Sequence, residues 1–393
     1  MPFSERSVMS YREEFCRLAL QPGVRMAELC RRFGISRTAG YKWLGRYRAE
    51  GLAGLSDRSR RPHASPARSD AATEAQVLAV RREHPVWGGR KIRRILEVDG
   101  AAVVPAASTI TAILGRHGVL DGPRAGEARG FVRFEHPCPN DLWQMDFKGH
   151  VAMAGGRLHP LTMLDDHSRY ALVLAACADQ RDMTVRARLE AAFRRYGLPL
   201  RILADNGAPW GSCGGGELTG LGVWLMDLGI RLSHGRPSHP QTQGKEERFH
   251  RTLKGEVLDG RVFRSLEEAE AAFAHWREVY NARRPHEALG YATPASRYVP
   301  SPRTMPETIA PADYEPEAQV RTVDRSHAIS FKGQKLRCPK ALTGRRVALR
   351  ATPADGVFDL CYRSHVLAQV DLRQNITQPV HHVSEQVSTL SPV

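Results

Sequence analysis

The hydrophobic period of this chain changes twice, and one domain cannot satisfy all three patterns. Up to about residue 120, apolar residues recur at helical spacing. Past Pro137 and Pro139, period-two runs alternate with helical ones, and beyond the prolines at 300, 302, 306, 311 and 316 only period-two runs remain. A chain of 393 residues is long enough for each segment to bury a core of its own. The pattern therefore predicts a multidomain protein: all-α modules first, an α/β domain next and a small β domain last.

In the first segment Met26, Leu29, Cys30 and Phe33 mark one helical face and Gly34 interrupts it. Ser36 is placed to cap a second helix carrying Tyr41, Leu44 and Tyr47. That is helix-turn-helix spacing, assigned to residues 1–57. The second helix of such a unit enters the major groove with its N-terminal residues on base edges, here Arg37, Thr38, Tyr41 and Lys42, with Arg37 the foremost base reader. Residues 58–70, with Arg60 and Arg61, are basic, aperiodic and suited to following a phosphate backbone. Helical spacing returns over 71–122, through Val77 and Val80 and again through Ile110, Ile113 and Leu114, predicting a second helix-turn-helix. Its Arg90 and Lys91 are equally compatible with phosphate contacts and with a solvated basic face. Lys and Arg exceed Asp and Glu by 57 to 42, a net charge of +15, which favours a polyanionic partner.

Residues 135–298 read as α/β. LWQMDFKGHVAM, RLHPLTMLDD and YALVLAACA form β runs, a helix follows near 182–196, and LRILAD and IRLSHG are further strands flanking a helix near 215–228. A polar helix is expected over 241–258, and Ser265 with Glu268 makes a capping box for a helix through Phe273 and Trp276. Residues 299–318 read as a Pro-rich linker, 319–373 as the β domain and 374–393 as a disordered tail. The seven cysteines show no CxxC or zinc-finger spacing, and no membrane-length apolar run or secretory pattern is present, so a reduced, cytoplasmic setting is expected.

Three acids stand out. Asp146 lies within a strand, where Asp is disfavoured, and a buried carboxylate needs a partner such as a metal ion. Asp205 ends an apolar strand before Asn-Gly, a turn that aims the side chain out of the carboxyl edge of a sheet. Glu247 shares a helical stripe with Arg251 and Lys254, while Glu246, Phe249 and Leu253 fall on the neighbouring apolar side.

The ordered set WQMDFKG, LDDHSRY, LADNG, HPQTQGKEERFHRTLK and YNARRPHEALGYATPASRY, with YKWLGRY upstream, resembles insertion-sequence transposases with a retroviral-integrase-like DDE catalytic core. The resemblance implies a ribonuclease H-like α/β core behind the helix-turn-helix modules and a C-terminal small β barrel. It implies Asp146, Asp205 and Glu247 as metal ligands. Glu246 is the alternative register; the family's acid stands three residues after the Gly corresponding to Gly244, which selects Glu247. Arg251 and Lys254 become DNA contacts. Asp165 and Asp166 are read as mostly structural, with Arg169 bonding one of them.

The implied chemistry is two-metal-ion catalysis with Mg²⁺, for which Mn²⁺ can substitute, the ions sitting about 3.5–4 Å apart. The implied function is transposition: hydrolysis at terminal inverted repeats to give 3′ hydroxyls, then joining of those ends to target DNA. Its partners are double-stranded DNA, both element ends and target, and other copies of the chain in at least a dimer on DNA, in the bacterial cytoplasm at the nucleoid. A non-catalytic DNA-binding regulator is the competing class, and the presence of all three acids argues against it.

Overall fold

A computed structural model describes residues 7–58, 68–120, 135–205, 207–211, 218–234, 244–373 and 376–379. They fall into two units, one through Arg68 and one from Ser69 onward.

The first unit is a trihelical module of α1 (Val8–Ala19), α2 (Met26–Arg32) and α3 (Arg37–Glu50). The Ser7 and Ser36 hydroxyls cap α1 and α3 by accepting from Ser10 N and Ala39 N. Phe15, Cys16, Leu29, Cys30 and Leu55 form the core. Gly40 lets α3 approach, since a Cβ there would lie 2.6 Å from Cys30 Sγ and 2.9 Å from Phe15. With that face inward, Arg37, Thr38, Tyr41 and Lys42 are all exposed, as a DNA-reading helix requires. Arg60 and Arg61 lie outside the described residues.

The second unit begins with α4 (Ala71–Glu83), α5 (Gly89–Val98) and α6 (Ala107–Arg116) around Val77, Trp87, Ile92, Ile110 and Ile113. Next comes a sheet in the order β4-β3-β1-β5-β6, built from β1 (Trp143–Phe147), β3 (Gly156–Asp165), β4 (Ala171–Cys177), β5 (Arg201–Ala204) and β6 (Arg231–His234). The short β2 (Val151–Met153) pairs with the start of β3. LWQMDFKGHVAM is thus two strands, with Gly149 at positive φ between them. Pairs among β1, β3 and β4 are antiparallel, and β1-β5 and β5-β6 are parallel.

One face of the sheet packs on α7 (Asp182–Tyr196) and α8 (Gly220–Asp227) through Val185, Leu189, Phe193 and Trp224. The other packs on α9 (Gly244–Leu253) and α10 (Leu266–Glu278) through Phe249, Leu253, Phe273 and Trp276. Covered on both sides, β4 is buried along its whole length.

Three expectations change in the C-terminal third. The β domain is no closed barrel among the described residues. It is an open antiparallel sheet ordered β13-β12-β11-β10-β7, with β8-β9 as a separate hairpin. These strands are β7 (Gln319–Thr322), β8 (Ala328–Phe331), β9 (Gln334–Arg337), β10 (Arg346–Ala351), β11 (Val357–Tyr362), β12 (His365–Asp371) and β13 (Ile376–Pro379). Second, β13 falls inside the expected disordered tail, where it pairs with β12.

Third, the Pro-rich stretch is strapped to the core rather than free. Leu198 N donates to Arg303 O (2.7 Å), Ser301 N donates to Tyr196 O (2.8 Å), and the Arg303 guanidinium donates to Pro199 O and to the α8-end carbonyls of Leu228 and Gly229. The sheet beyond it shares a core with α8 through Val223 and Met226. At that seam buried Asp227 accepts from Tyr362 Oη (2.6 Å) and Arg363 Nε (2.8 Å) and pairs with Arg345 (3.1 Å).

Gly89 at the start of α5 is held against α6: an added Cβ would lie 2.4 Å from Ala107 O and 2.6 Å from Thr111 Oγ1. Gly89→Ala should force the two helices apart and cost on the order of 2 kcal/mol. Urea unfolding followed by circular dichroism checks this, and an unchanged midpoint would contradict it.

Candidate active site

The parallel pairing of β1 with β5 brings the first two acids together. Trp143 stands opposite Ile202 and Gln144 opposite Leu203, and the same register carried onward sets Asp146 opposite Asp205. Neighbouring strands lie about 4.8 Å apart, so both carboxylates occupy one patch at the carboxyl edge of the sheet. Asp146 is half-buried and Asp205 exposed. Burial first, and the negative charge of Asp205 second, push the Asp146 carboxyl up to about 6. Its Oδ1 accepts from Phe147 N at 2.8 Å, which offsets part of that rise. Trp210 stacks on Phe147 with ring centroids 5.4 Å apart, tying the turn after Asp205 to the strand end after Asp146.

The third acid rides on α9, whose rotation follows its apolar face. Phe249 and Leu253 are buried, so Glu246 and His250 point inward, while Glu247, Arg251 and Lys254 are exposed, the two faces read from the sequence. Glu246 is 1 % exposed. Burial and the charge of Asp146 raise its carboxyl well above the usual range. Thr162 Oγ1 lies 3.0 Å from Glu246 Oε2, 2.8 Å from His250 Nε2 and 2.9 Å from Asp146 O. A hydroxyl has one proton to give, so Thr162 Oγ1 divides its donation between the Asp146 carbonyl and the Glu246 carboxyl, with the His250 ring at the same oxygen. Burial lowers the His250 imidazole to about 4, keeping it uncharged at neutral pH.

Asp146 and Asp205 therefore converge, and Glu247 stands on the exposed side of the adjoining helix. Among the described residues no three His, Cys, Asp or Glu side chains are close enough to form a ready-made metal cage. The donors nonetheless suit a hard divalent cation: they are carboxylate oxygens, and the raised Asp146 carboxyl marks negative charge that a cation would stabilise.

Neither basic residue assigned to phosphates in the second helical module stands free. Arg90 pairs with Glu287 (3.1 Å), and Lys91 is half-buried at the seam with the core, where desolvation and Arg284 lower its ammonium to about 8. Beside them Arg283 makes a two-pronged contact with Asp99 (2.7 and 2.8 Å). Lys254 has Asp259 3.9 Å away, and Arg251 is exposed.

In LDDHSRY, Asp165 accepts from Asn140 N, Ser168 N and Ser168 Oγ. Arg169 bonds the carbonyl of Asp166, not its carboxylate, and reaches Glu135 (3.1 Å). Sequence reasoning did not single out Thr162, His250 or Lys245. The available hints were a Thr within an apolar strand and a Lys placed between Gly244 and the two acids.

Comparison with known proteins agrees with this architecture. Integrase core domain models match residues 136–240 and 228–294. The chain carries an integrase core. A helix-turn-helix domain model matches residues 12–63, a homeodomain-like model 39–114, and the IS481 family transposase C-terminal domain 318–378. Among curated relatives, the insertion element IS407 31.7 kDa protein of Burkholderia multivorans is 27% identical over 254 residues, spanning 63% of this chain and 88% of the relative. The insertion element IS476 39.2 kDa protein of Xanthomonas euvesicatoria is 26% identical over 278 residues, 70% of this chain and 78% of its own length. The transposase for insertion sequence element IS904 of Lactococcus lactis is 26% identical over 164 residues, 41% of this chain and 62% of its own. This chain thus resembles insertion-element proteins, with an integrase core behind helical modules of helix-turn-helix type. Among the described residues no helix is long and apolar enough to cross a membrane.

The raised Asp146 carboxyl has a consequence for stability. Because its folded value, about 6, exceeds the ordinary 3.8, ionising it disfavours the folded state; the cost is absent below pH 3.8 and complete above pH 6. Asp146→Asn should therefore stabilise the metal-free protein at pH 8 by roughly 1–3 kcal/mol, and the gain should vanish toward pH 4. Thermal melts in chelator at the two pH values measure the difference, and a variant less stable than wild type at pH 8 would refute it.

Proposed function

We propose that the protein is a DDE-type DNA transposase in which Asp146, Asp205 and Glu247 hold two divalent ions, Mg²⁺ or in its place Mn²⁺, at a DNA phosphate. The observation that carries this reading is the β1–β5 register, which forces two carboxylates side by side at the open edge of an integrase core. Such an arrangement costs stability unless a cation is held there. Bound at these oxygens, divalent ions supply Lewis acidity at the phosphate and a lowered pKa for the attacking water or 3′ hydroxyl.

The chain's own residues bind and orient. Asp146 and Asp205 offer their oxygens from the strand ends, and Glu247 closes the set from α9, whose exposed stripe continues with Arg251 and Lys254 toward the phosphate backbone. Glu246, buried beside Asp146 with its carboxyl raised well above the usual range by burial and by the charge of Asp146, supports the site through Thr162. Arg37, Thr38, Tyr41 and Lys42 on exposed α3 read base edges of the terminal inverted repeats. Arg60, Arg61, Arg90 and Lys91 add phosphate contacts, the latter two on release from their seam with the core.

Hydrolysis at the element ends yields 3′ hydroxyls, which then attack target DNA in the same site. Two ends must be cut and joined together, so at least two copies of the chain act on one DNA complex.

Strand transfer with an end-bearing duplex, a plasmid target and Mg²⁺ tests the reading. Glu247→Gln should lower joining by roughly three orders of magnitude while end binding by mobility shift is unchanged, whereas Glu246→Gln should retain joining within about tenfold. The opposite ranking would move the third ligand to Glu246. End binding without cleavage or joining in either metal would overturn the enzyme reading.

A further inference from the structure

Asp166 is 1 % exposed, and its carboxylate is shared among three groups. Oδ1 accepts from Gln144 Nε2 at 2.6 Å and faces Lys245 Nζ at 2.5 Å; Oδ2 accepts from His136 N at 2.8 Å. Lys245 Nζ also donates to the Asp166 carbonyl at 3.2 Å. Gln144 lies on β1 two residues before Asp146, on the same side of the strand. Lys245 lies in the first turn of α9 two residues before Glu247. One buried carboxylate thus grips the strand of one candidate ligand and the helix of another, each at the same remove from its acid.

Apolar packing alone leaves this end of α9 loosely specified. Phe249 and Leu253, which anchor the helix, lie in its middle and C-terminal turns, and the first residue, Gly244, has no side chain. Polar contacts pin its start instead: buried Glu246 meets Thr162 on β3, and Lys245 meets Asp166. Asp166 is itself held by the short turn between β3 and β4, through the Asp166 N to Leu142 O bond at 2.9 Å and through Arg169 on its carbonyl.

We propose that Asp166 and Lys245 are positioning residues that set the separation of Glu247 from Asp146, and hence the fit of the site for its divalent ions. The inference rests on the metal-site reading above and assigns a part of the site outside the three acids. Both residues act through the strand and the helix that they hold. Their effect is on how much metal the site requires.

The test uses the full-length protein as wild type, Lys245→Met, Lys245→Arg, Asp166→Asn and, as a control, Glu247→Gln. Four quantities are measured: Mn²⁺ binding by electron paramagnetic resonance, the metal concentration for half-maximal strand transfer, the KM for DNA, and the thermal midpoint. Lys245→Met is the principal variant because Lys245 is partly exposed, so Met can replace it without a buried void; Asp166→Asn keeps the shape of the acid.

Lys245→Met and Asp166→Asn are expected to raise the half-maximal metal concentration about tenfold or more. The KM for DNA should stay unchanged, Lys245→Arg should remain within about threefold of wild type, and the Lys245→Met melt should fall, because buried Asp166 loses its cation, while staying above the assay temperature. Equal metal dependence in Lys245→Met and wild type overturns the proposal, as does a loss that excess metal does not restore. Wild type that neither binds Mn²⁺ nor joins DNA removes the metal-site reading and this role with it. Wild type active beside a metal-indifferent Lys245→Met removes only the positioning role.

Discussion

Two like charges on adjacent parallel strands set the terms for the central domain. The β1–β5 register brings Asp146, in the strand, close to Asp205, just past the end of its neighbour, and the pairing that sets it also buries Trp143, Met145 and Ile202. The sheet supplies the apolar free energy that holds the carboxylates together, and the carboxylates remain an unfavourable contact in an otherwise well-packed edge. Trp210 on Phe147, and Thr162 under the Asp146 carbonyl, close the surroundings of that contact. Strain of this kind persists where function requires it.

Polar contacts attach the parts around the core: buried Asp227 joins α8 to the C-terminal sheet, Arg303 fastens the Pro-rich stretch to several backbone carbonyls, and a partly exposed Arg283–Asp99 pair links the second helical module to the core. Multiply bonded charges of this type are costly to half-remove, so they specify one relative placement more than they add net stability. The α4–α6 module and the C-terminal sheet are therefore carried at fixed positions about the acids. That also explains why basic residues of α5 lie at a seam where the sequence pattern alone suggests a free cationic face.

Much of the site is legible in the sequence. An acid inside an apolar strand, an acid at a strand end before Asn-Gly, and the stripe Glu247, Arg251, Lys254 opposed to Phe249 and Leu253 all follow from periods of two and 3.6. The exposed start of α3 follows from Ser36 and the apolar face behind it. The shared grip of Asp166 is not legible there, since its partners come from two stretches remote from it, His136 and Gln144 before it and Lys245 well after. Nor is the strapping of residues 299–318, where prolines signal an extended chain but carry no information about what it lies against.

The sequence by itself determined the order of the domains and the faces of the helices and strands, because these depend on side-chain spacing along one element, while the candidate acids were named from it with the help of a family resemblance. Only the tertiary structure decided what those elements meet: a β1–β5 register bringing Asp146 to Asp205, a buried Glu246 on Thr162, an open C-terminal sheet in place of a barrel among the described residues, and Lys91 drawn into a seam. Registers and seams are settled by contacts between residues far apart in sequence, and a one-dimensional pattern contains the preference of each partner but not the pairing.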